Sequence, residues 1–278
     1  MIPSHEAEKA QSYAYVAGCR NAAWLVGRVQ KIDTDNRVIY LTRSGEDAMI
    51  PLFLEGGDRI PGDVVEGSVI KVILHVYSGI REEAPEDVKA GRHVRLIIKS
   101  IDRPTLLDMR PAENFLKADL NDLDVFSSYN LPDAFAPNSN SVELAGFVDG
   151  SPITVRDQDH EKDRLVFTLR QAGGARHLIP IEITGKRAPQ YRRVVMVGQP
   201  VLVSGSVYAG RRHDTGESVG IVRCTHVRTA VPEQDFKFDA VPDWAIEIRR
   251  RWAMHVQQER ERLAALAAAR QAEALMAG

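Results

Sequence analysis

Cysteine is scarce in this 278-residue chain, which carries only Cys19 and Cys224, far apart and without metal-type spacing. That excludes a disulfide framework and a cysteine-based zinc site, and predicts two reduced thiols in a cytoplasmic protein. Long apolar runs are also missing, none approaching the roughly 18 residues that a membrane span needs. Residues 1–9 lack the charged-then-apolar pattern of a signal peptide. The eight histidines form no His-x-x-x-His or His-Glu-x-x-His pair, and there is no Gly-x-x-x-x-Gly-Lys loop and no serine-centred nucleophile elbow. The acidic run from Asp157 to Asp163 resembles a calcium loop only superficially. It has no central glycine, and Thr168 stands where the closing glutamate belongs, so a solvated hairpin turn is expected there. A protein without cofactor, metal or catalytic centre is therefore expected, one that binds rather than catalyses.

What is present is a repetition. Gly27-Arg28-Val29 answers to Gly146-Phe147-Val148, and Ile50-Pro51 to Ile179-Pro180. Gly67 with its β-branched run to Tyr77 answers to Gly198 with its run to Tyr208, at the same 10-residue spacing. Self-similarity at this scale is a fold signal, and the length allows two domains of about 100 residues, each with its own core.

Each copy reads as five short strands. In the first they are predicted at residues 24–31, 37–42, 48–54, 68–77 and 93–101, and in the second at 142–148, 164–170, 176–184, 200–208 and 219–228. A longer connection between the third and fourth strands is the order of an OB-fold, a partly open Greek-key barrel. A different small barrel is the alternative, because periodicity does not give strand order. The predicted fold class is mainly β: two tandem OB-like five-stranded β-barrels with a short linker helix and a C-terminal α-helix. The predicted divisions are an N-terminal segment (1–23), a first barrel (24–103), an acidic linker with a helix over 112–120 (104–141), a second barrel (142–230) and an amphipathic helix (242–278). The helix begins at Pro242-Asp243, and its stripe runs through Trp244, Ile248, Trp252, Val256, Leu263 and Leu266.

Charge is unevenly distributed although the net is only -2. Residues 20–103 hold 13 basic and 13 acidic side chains, residues 104–165 hold 5 and 12, and residues 170–228 hold 10 and 3. The second copy thus carries the basic surface, and local field decides where a polyanion docks.

Residues 140–148 (Asn-Ser-Val-Glu-Leu-Ala-Gly-Phe-Val), residues 165–169 (Leu-Val-Phe-Thr-Leu) and residues 197–208, ending Val-Ser-Gly-Ser-Val-Tyr, resemble the first, second and fourth strands of the bacterial-type single-stranded DNA-binding proteins. The resemblance covers about 90 residues of the second copy and rests on barrel-building positions. It implies binding of single-stranded nucleic acid along the barrel face, with oligomerisation common. The third strand departs from that family, since Arg176-His177-Leu-Ile-Pro-Ile181 offers no tryptophan for stacking, and the acidic, phenylalanine-ending tail has no counterpart in Ala-Glu-Ala-Leu-Met-Ala-Gly278. The resemblance therefore implies a specialised relative, as on plasmids, integrative elements or phages, active in DNA replication, recombination or transfer.

Single-strand binding needs a basic groove for phosphates and flat side chains for bases. In the second copy the candidates are Arg176, Lys186, Arg187, Tyr191, Arg192, Arg193, Tyr208, Arg211 and Arg212, with His213 beside them. A solvated basic surface facing the acidic connector is the competing explanation. Phe147 and Phe167 are further stacking candidates, but strand alternation can equally place them inside. In the first copy the loop 79–91 carries Glu82, Glu83, Glu86 and Asp87 against Arg81 and Lys89. That barrel is expected to be structural or protein-binding, with Trp24, Tyr40 and Tyr77 in its core. The predicted partner is single-stranded DNA, or RNA, and a homo-oligomer could form through Trp244, Ile248, Trp252 and Val256. The alternative function is an OB-fold scaffold or adaptor that binds proteins and oligomerises through its terminal helix.

Overall fold

Alternation of buried and half-exposed side chains is clearest in one strand of the second copy. In Arg164–Arg170 the side chains of Leu165, Phe167 and Leu169 are buried while Arg164, Val166, Thr168 and Arg170 remain partly exposed, as a strand with one face on a core requires. The computed structural model describes residues 14–43, 48–80, 91–105, 109–111, 135–137, 139–156, 163–185, 188–212 and 214–276. The predicted linker helix at 112–120, the acidic loop at 81–90, Lys186, Arg187 and His213 lie outside the described residues.

After a two-residue strand β1 (Tyr15–Val16) come β2 (Cys19–Asp33), β3 (Val38–Thr42), β4 (Ile50–Phe53), β5 (Val69–Ser78) and β6 (Val94–Asp102). A small pair, β7 (Met109–Pro111) and β8 (Phe135–Pro137), precedes β9 (Asn140–Val155), β10 (Arg164–Arg170) and β11 (Leu178–Thr184). The short helix α1 (Ala188–Tyr191), then β12 (Pro200–Arg211), β13 (Ser218–Thr229), α2 (Pro232–Asp235) and α3 (Asp243–Met276) complete the order.

In the first barrel β2, β3 and β4 form an antiparallel meander, β4 pairs in parallel with β6, and β5 lies between β6 and β2. The second repeats this connectivity with β9, β10, β11, β13 and β12. Five strands closed in this order form an OB-fold barrel. The architecture is mainly β, two OB-fold barrels and a C-terminal helix, as the sequence predicts.

The paired glycines have a steric reason. A Cβ on Gly146 would stand 2.6 Å from the carbonyl oxygen of Arg170, and one on Gly27 would stand 3.0 Å from that of Thr42. Each glycine lets the first strand of its barrel lie close against the second.

The barrels are joined edge to edge. β2 pairs antiparallel with β9 from Asn21↔Leu144 to Leu25↔Asn140, and β6 meets β13 at Val94↔Gly220, so that a single 11-stranded sheet runs through both. This explains why β2 begins at Cys19 rather than at Trp24. Residues 21–25 pair with β9, and Cys19 bridges to Phe236, partners that periodicity alone does not reveal.

One apolar core runs through both barrels, including Leu25, Leu41, Leu52 and Leu74 from the first and Leu144, Leu165, Leu169 and Ile181 from the second. Each such side chain contributes roughly 1.5–3 kcal/mol of burial. A second cluster lies outside the barrels, where Phe147, Phe236, Phe238 and Trp244 stack around Cys19, Leu202 and Ile248. The carboxylate of buried Asp235 accepts from both terminal nitrogens of Arg228, at 2.8 and 3.1 Å, and from the Val231 amide. Trp244 and Ile248 thereby pack the start of α3 onto its own barrel. Further along the same helix Met254, Leu263 and Leu266 are exposed.

Candidate nucleic-acid interface

Two of the aromatic stacking candidates are withdrawn into packing. Phe167 lies in the barrel core and Phe147 in the outer aromatic cluster, both buried. Arg176 is displaced as well, because Ala175–His177 forms a 3-10 turn and strand β11 starts only at Leu178. From that turn Arg176 donates to both carboxylate oxygens of Glu55, at 3.0 and 2.9 Å, and its guanidinium lies 3.9 Å from the ring centre of Tyr77. Its contacts are with the first barrel, and Tyr77 is buried beneath it as predicted.

The other described candidates of the second barrel stay at its surface. Arg192 and Arg193 are exposed beyond α1, with Arg192 donating to Thr154 Oγ1 at 3.0 Å. Tyr191 is half-buried, and its hydroxyl donates to the Thr225 carbonyl at 3.3 Å. Arg211 is exposed at the end of β12. Arg212 beside it donates through Nε and Nη2 to Asp214, at 3.1 and 2.6 Å, with Glu217 at 3.7 Å. Those carboxylates raise the guanidinium pKa and offset its charge, so Arg212 offers less to a phosphate than its position in the sequence suggests.

A concavity lies on the first barrel. A groove of about 740 Å³ is lined by Lys31, Tyr40, Phe53, His93 and Arg95, and its far wall is the β12–β13 hairpin of the second barrel through Arg212, Glu217, Ser218 and Val219. Tyr40, predicted to be core, is half-exposed here, because β3 turns its outward side chains toward the groove. The Lys31 ammonium lies 5.7 Å from the centre of the Tyr40 ring, and the Arg95 guanidinium 4.3 Å from that of Phe53. Two flat rings each accompanied by an exposed cation is the arrangement that stacks bases and follows a phosphate backbone.

The corresponding face of the second barrel lacks this. In the shared register, Leu41↔Ile50 matches Leu169↔Ile179, so Tyr40 corresponds to Thr168 and Phe53 to Glu182, which is paired with Arg164 at 3.8 Å. The net charge of each copy therefore points away from the barrel that holds the aromatic face.

His93 also lines the groove. Burial, followed by the nearby Arg212 guanidinium, pushes its pKa below the ordinary histidine value, against weaker opposing effects of the hydrogen bond with the Gly79 backbone and of Asp214 and Glu217. Among the described residues no cluster of His, Cys, Asp and Glu could hold a metal ion, and no helix is long and apolar enough to cross a membrane.

No family model and no curated protein matches the chain. Among solved structures it is similar to the wild-type single-stranded DNA binding protein from Thermus aquaticus, at 14% identity over 81% of this chain and 97% of that one, with a TM-score of 0.47. It is also similar to the second single-stranded DNA binding protein of Mycobacterium smegmatis, at 17% identity over 37% of this chain and 99% of that one, TM-score 0.28. A third similarity is to the SSB domain of a Synechococcus protein, at 18% identity over 32% of this chain and 94% of that one, TM-score 0.27.

Proposed function

We propose that this chain binds single-stranded nucleic acid, DNA in the first place, with little sequence preference and without catalysis. The observation that carries the reading is the first-barrel groove, in which Tyr40 and Phe53 present rings flanked by Lys31 and Arg95. Stacking on such rings tolerates any base, because every base has a π-face, while the cations neutralise phosphates and release counterions. Arg212 lines the groove and exposed Arg211 precedes it in the chain, which supports a path from the groove onto the basic second barrel, where Arg192 and Arg193 are exposed and Tyr191 and Tyr208 half-exposed. The matching connectivity of the barrels supports a divergent pair. The lack of stacking tryptophans on β11 supports a specialised protein of plasmid, integrative-element or phage type, serving replication, recombination or transfer.

A second reading is favoured by one observation: Met254, Leu263 and Leu266 are exposed on α3, as on a helix that assembles copies or engages a protein. Fluorescence anisotropy separates the two. A labelled single strand of about 30 bases, titrated at low and moderate salt against a duplex control, should bind preferentially and lose affinity steeply with salt. Absence of binding at low salt would overturn the nucleic-acid reading in favour of the adaptor.

A further inference from the structure

Ring and arginine recur a second time on the same sheet. Tyr208 on β12 stands opposite Ile221 on β13, and the guanidinium of Arg223, two residues further along β13, lies 4.6 Å from the Tyr208 ring centre. Strand alternation sends Val219, Ile221, Arg223 and Thr225 to one side of β13, leaving Val222 and Cys224 buried on the other. Arg223 is exposed and Tyr208 half-exposed.

This face is continuous with the groove. β13 joins β6 at Gly220↔Val94, and the residues beside that bridge, Val219 and Arg95, both line the groove. The Arg95 and Phe53 pair therefore sits at one end of a sheet face whose other end carries Arg223 and Tyr208. Arg223 lies four residues beyond Val219, about 13 Å at roughly 3.3 Å per residue. The acidic neighbour in register with Arg223 is Glu182, which faces Arg164.

We propose that the outward face of β13 is a second binding segment for the same single strand, leading it from the first-barrel groove onto the platform of Tyr208 and Arg223. This rests on the nucleic-acid reading above. An arginine plane layered on a ring offers a base a flat surface and the backbone a cation. The segment lies on the seam strand where the barrels join, so the occupied length spans both.

The test uses the full chain and labelled oligothymidylates of two lengths, about 6 and about 30 bases. Arg223→Gln, at an exposed position, should weaken binding of the long strand and lower its salt slope by about one, while leaving the short strand unchanged, and adding Tyr208→Leu should bring the loss on the long strand to about tenfold. Phe53→Leu should weaken both lengths. Arg223→Lys should restore the salt slope. If the Arg223 and Tyr208 variants bind the long strand as the unaltered protein does, the β13 segment is refuted while the groove stands. If the unaltered protein binds neither length, the nucleic-acid reading itself has failed.

Discussion

Asn21 and Gln171, one from each barrel, meet in a fully buried hydrogen bond in which Asn21 Nδ2 donates to Gln171 Oε1 at 2.6 Å. The same Asn21 amide donates to the Val76 carbonyl and its oxygen accepts from the Val76 amide. Gln171 Nε2 donates to the carbonyls of Arg20 and Ala145. Two amides thus satisfy backbone groups on both sides of the seam. Replacing Gln171 by Leu leaves these partners buried and unanswered, at about 1–3 kcal/mol for each such group. Gln171→Leu should lower the thermal midpoint by several degrees, and a double-mutant cycle with Asn21→Leu should show coupling above about 0.5 kcal/mol. Additive effects would mean that the two amides act independently.

The groove aromatics are open to a direct check. Tyr40→Leu and Phe53→Leu keep apolar bulk and remove the flat ring, and each should weaken single-strand binding by about 1–3 kcal/mol with little change in thermal midpoint. Anisotropy at fixed salt measures this. Unchanged affinity in both variants would move the site away from the first barrel.

His93 gives the groove a pH dependence with a definite sign. Its folded pKa lies below the ordinary value of 6.5, so its contribution to stability is present above that value and is lost as pH falls through the folded one. A phosphate in the groove favours the protonated ring, and binding should therefore tighten as pH falls from 7 toward 5.5. Arg212 and Asp214 act on the same ring, and their mutual pairing, which raises the guanidinium pKa and lowers the carboxyl pKa, keeps both charged through that interval. His93→Gln should abolish the tightening, and an unaltered pH profile in that variant would reject the assignment.

Both thiols should be inert in the folded protein. Burial pushes the Cys224 pKa up to about 12 and that of Cys19 higher still, and the thiolate is the reactive form. A chromogenic disulfide reagent at pH 8 should titrate neither in native conditions and both in denaturant. Rapid labelling of either native thiol would contradict the packing described.

Gly205 sits at the bulge of β12, where a Cβ would lie 2.1 Å from the Arg223 carbonyl oxygen. Gly205→Ala must push two strands apart and should destabilise strongly, whereas Gly57→Ala meets nothing within 4 Å and should be close to neutral. Denaturant midpoints of the two variants provide the comparison.

Much of this fold was legible because its signals are local. Alternation in residues 164–170 marks a strand with one buried face, and Gly27 and Gly146 recur at matching places because the same close approach recurs in each barrel. The site was less legible. Charge counting favoured the second copy, yet Arg212 is offset by Asp214 and Glu217 within its own hairpin, and Arg176 is held by Glu55 of the first barrel. Tyr40 and Phe53 carried no local mark separating a groove ring from a core ring. The missed residue Arg223 had a faint signal, an outward position on an alternating strand opposite the segment that ends in Tyr208.

By itself the sequence determined the central part of each barrel strand, which side chains share a strand face, and where only glycine fits, since these follow from backbone geometry and period, whereas tertiary pairing set the ends of β2, β9 and β11. Only the tertiary structure decided which faces meet. Lys31, Tyr40, Phe53, Arg95 and the hairpin at Arg212 come from segments far apart in the chain, and they converge because β4 pairs with β6 and β6 with β13. Those pairings depend on long-range register and on a core shared by two barrels, which no local pattern encodes.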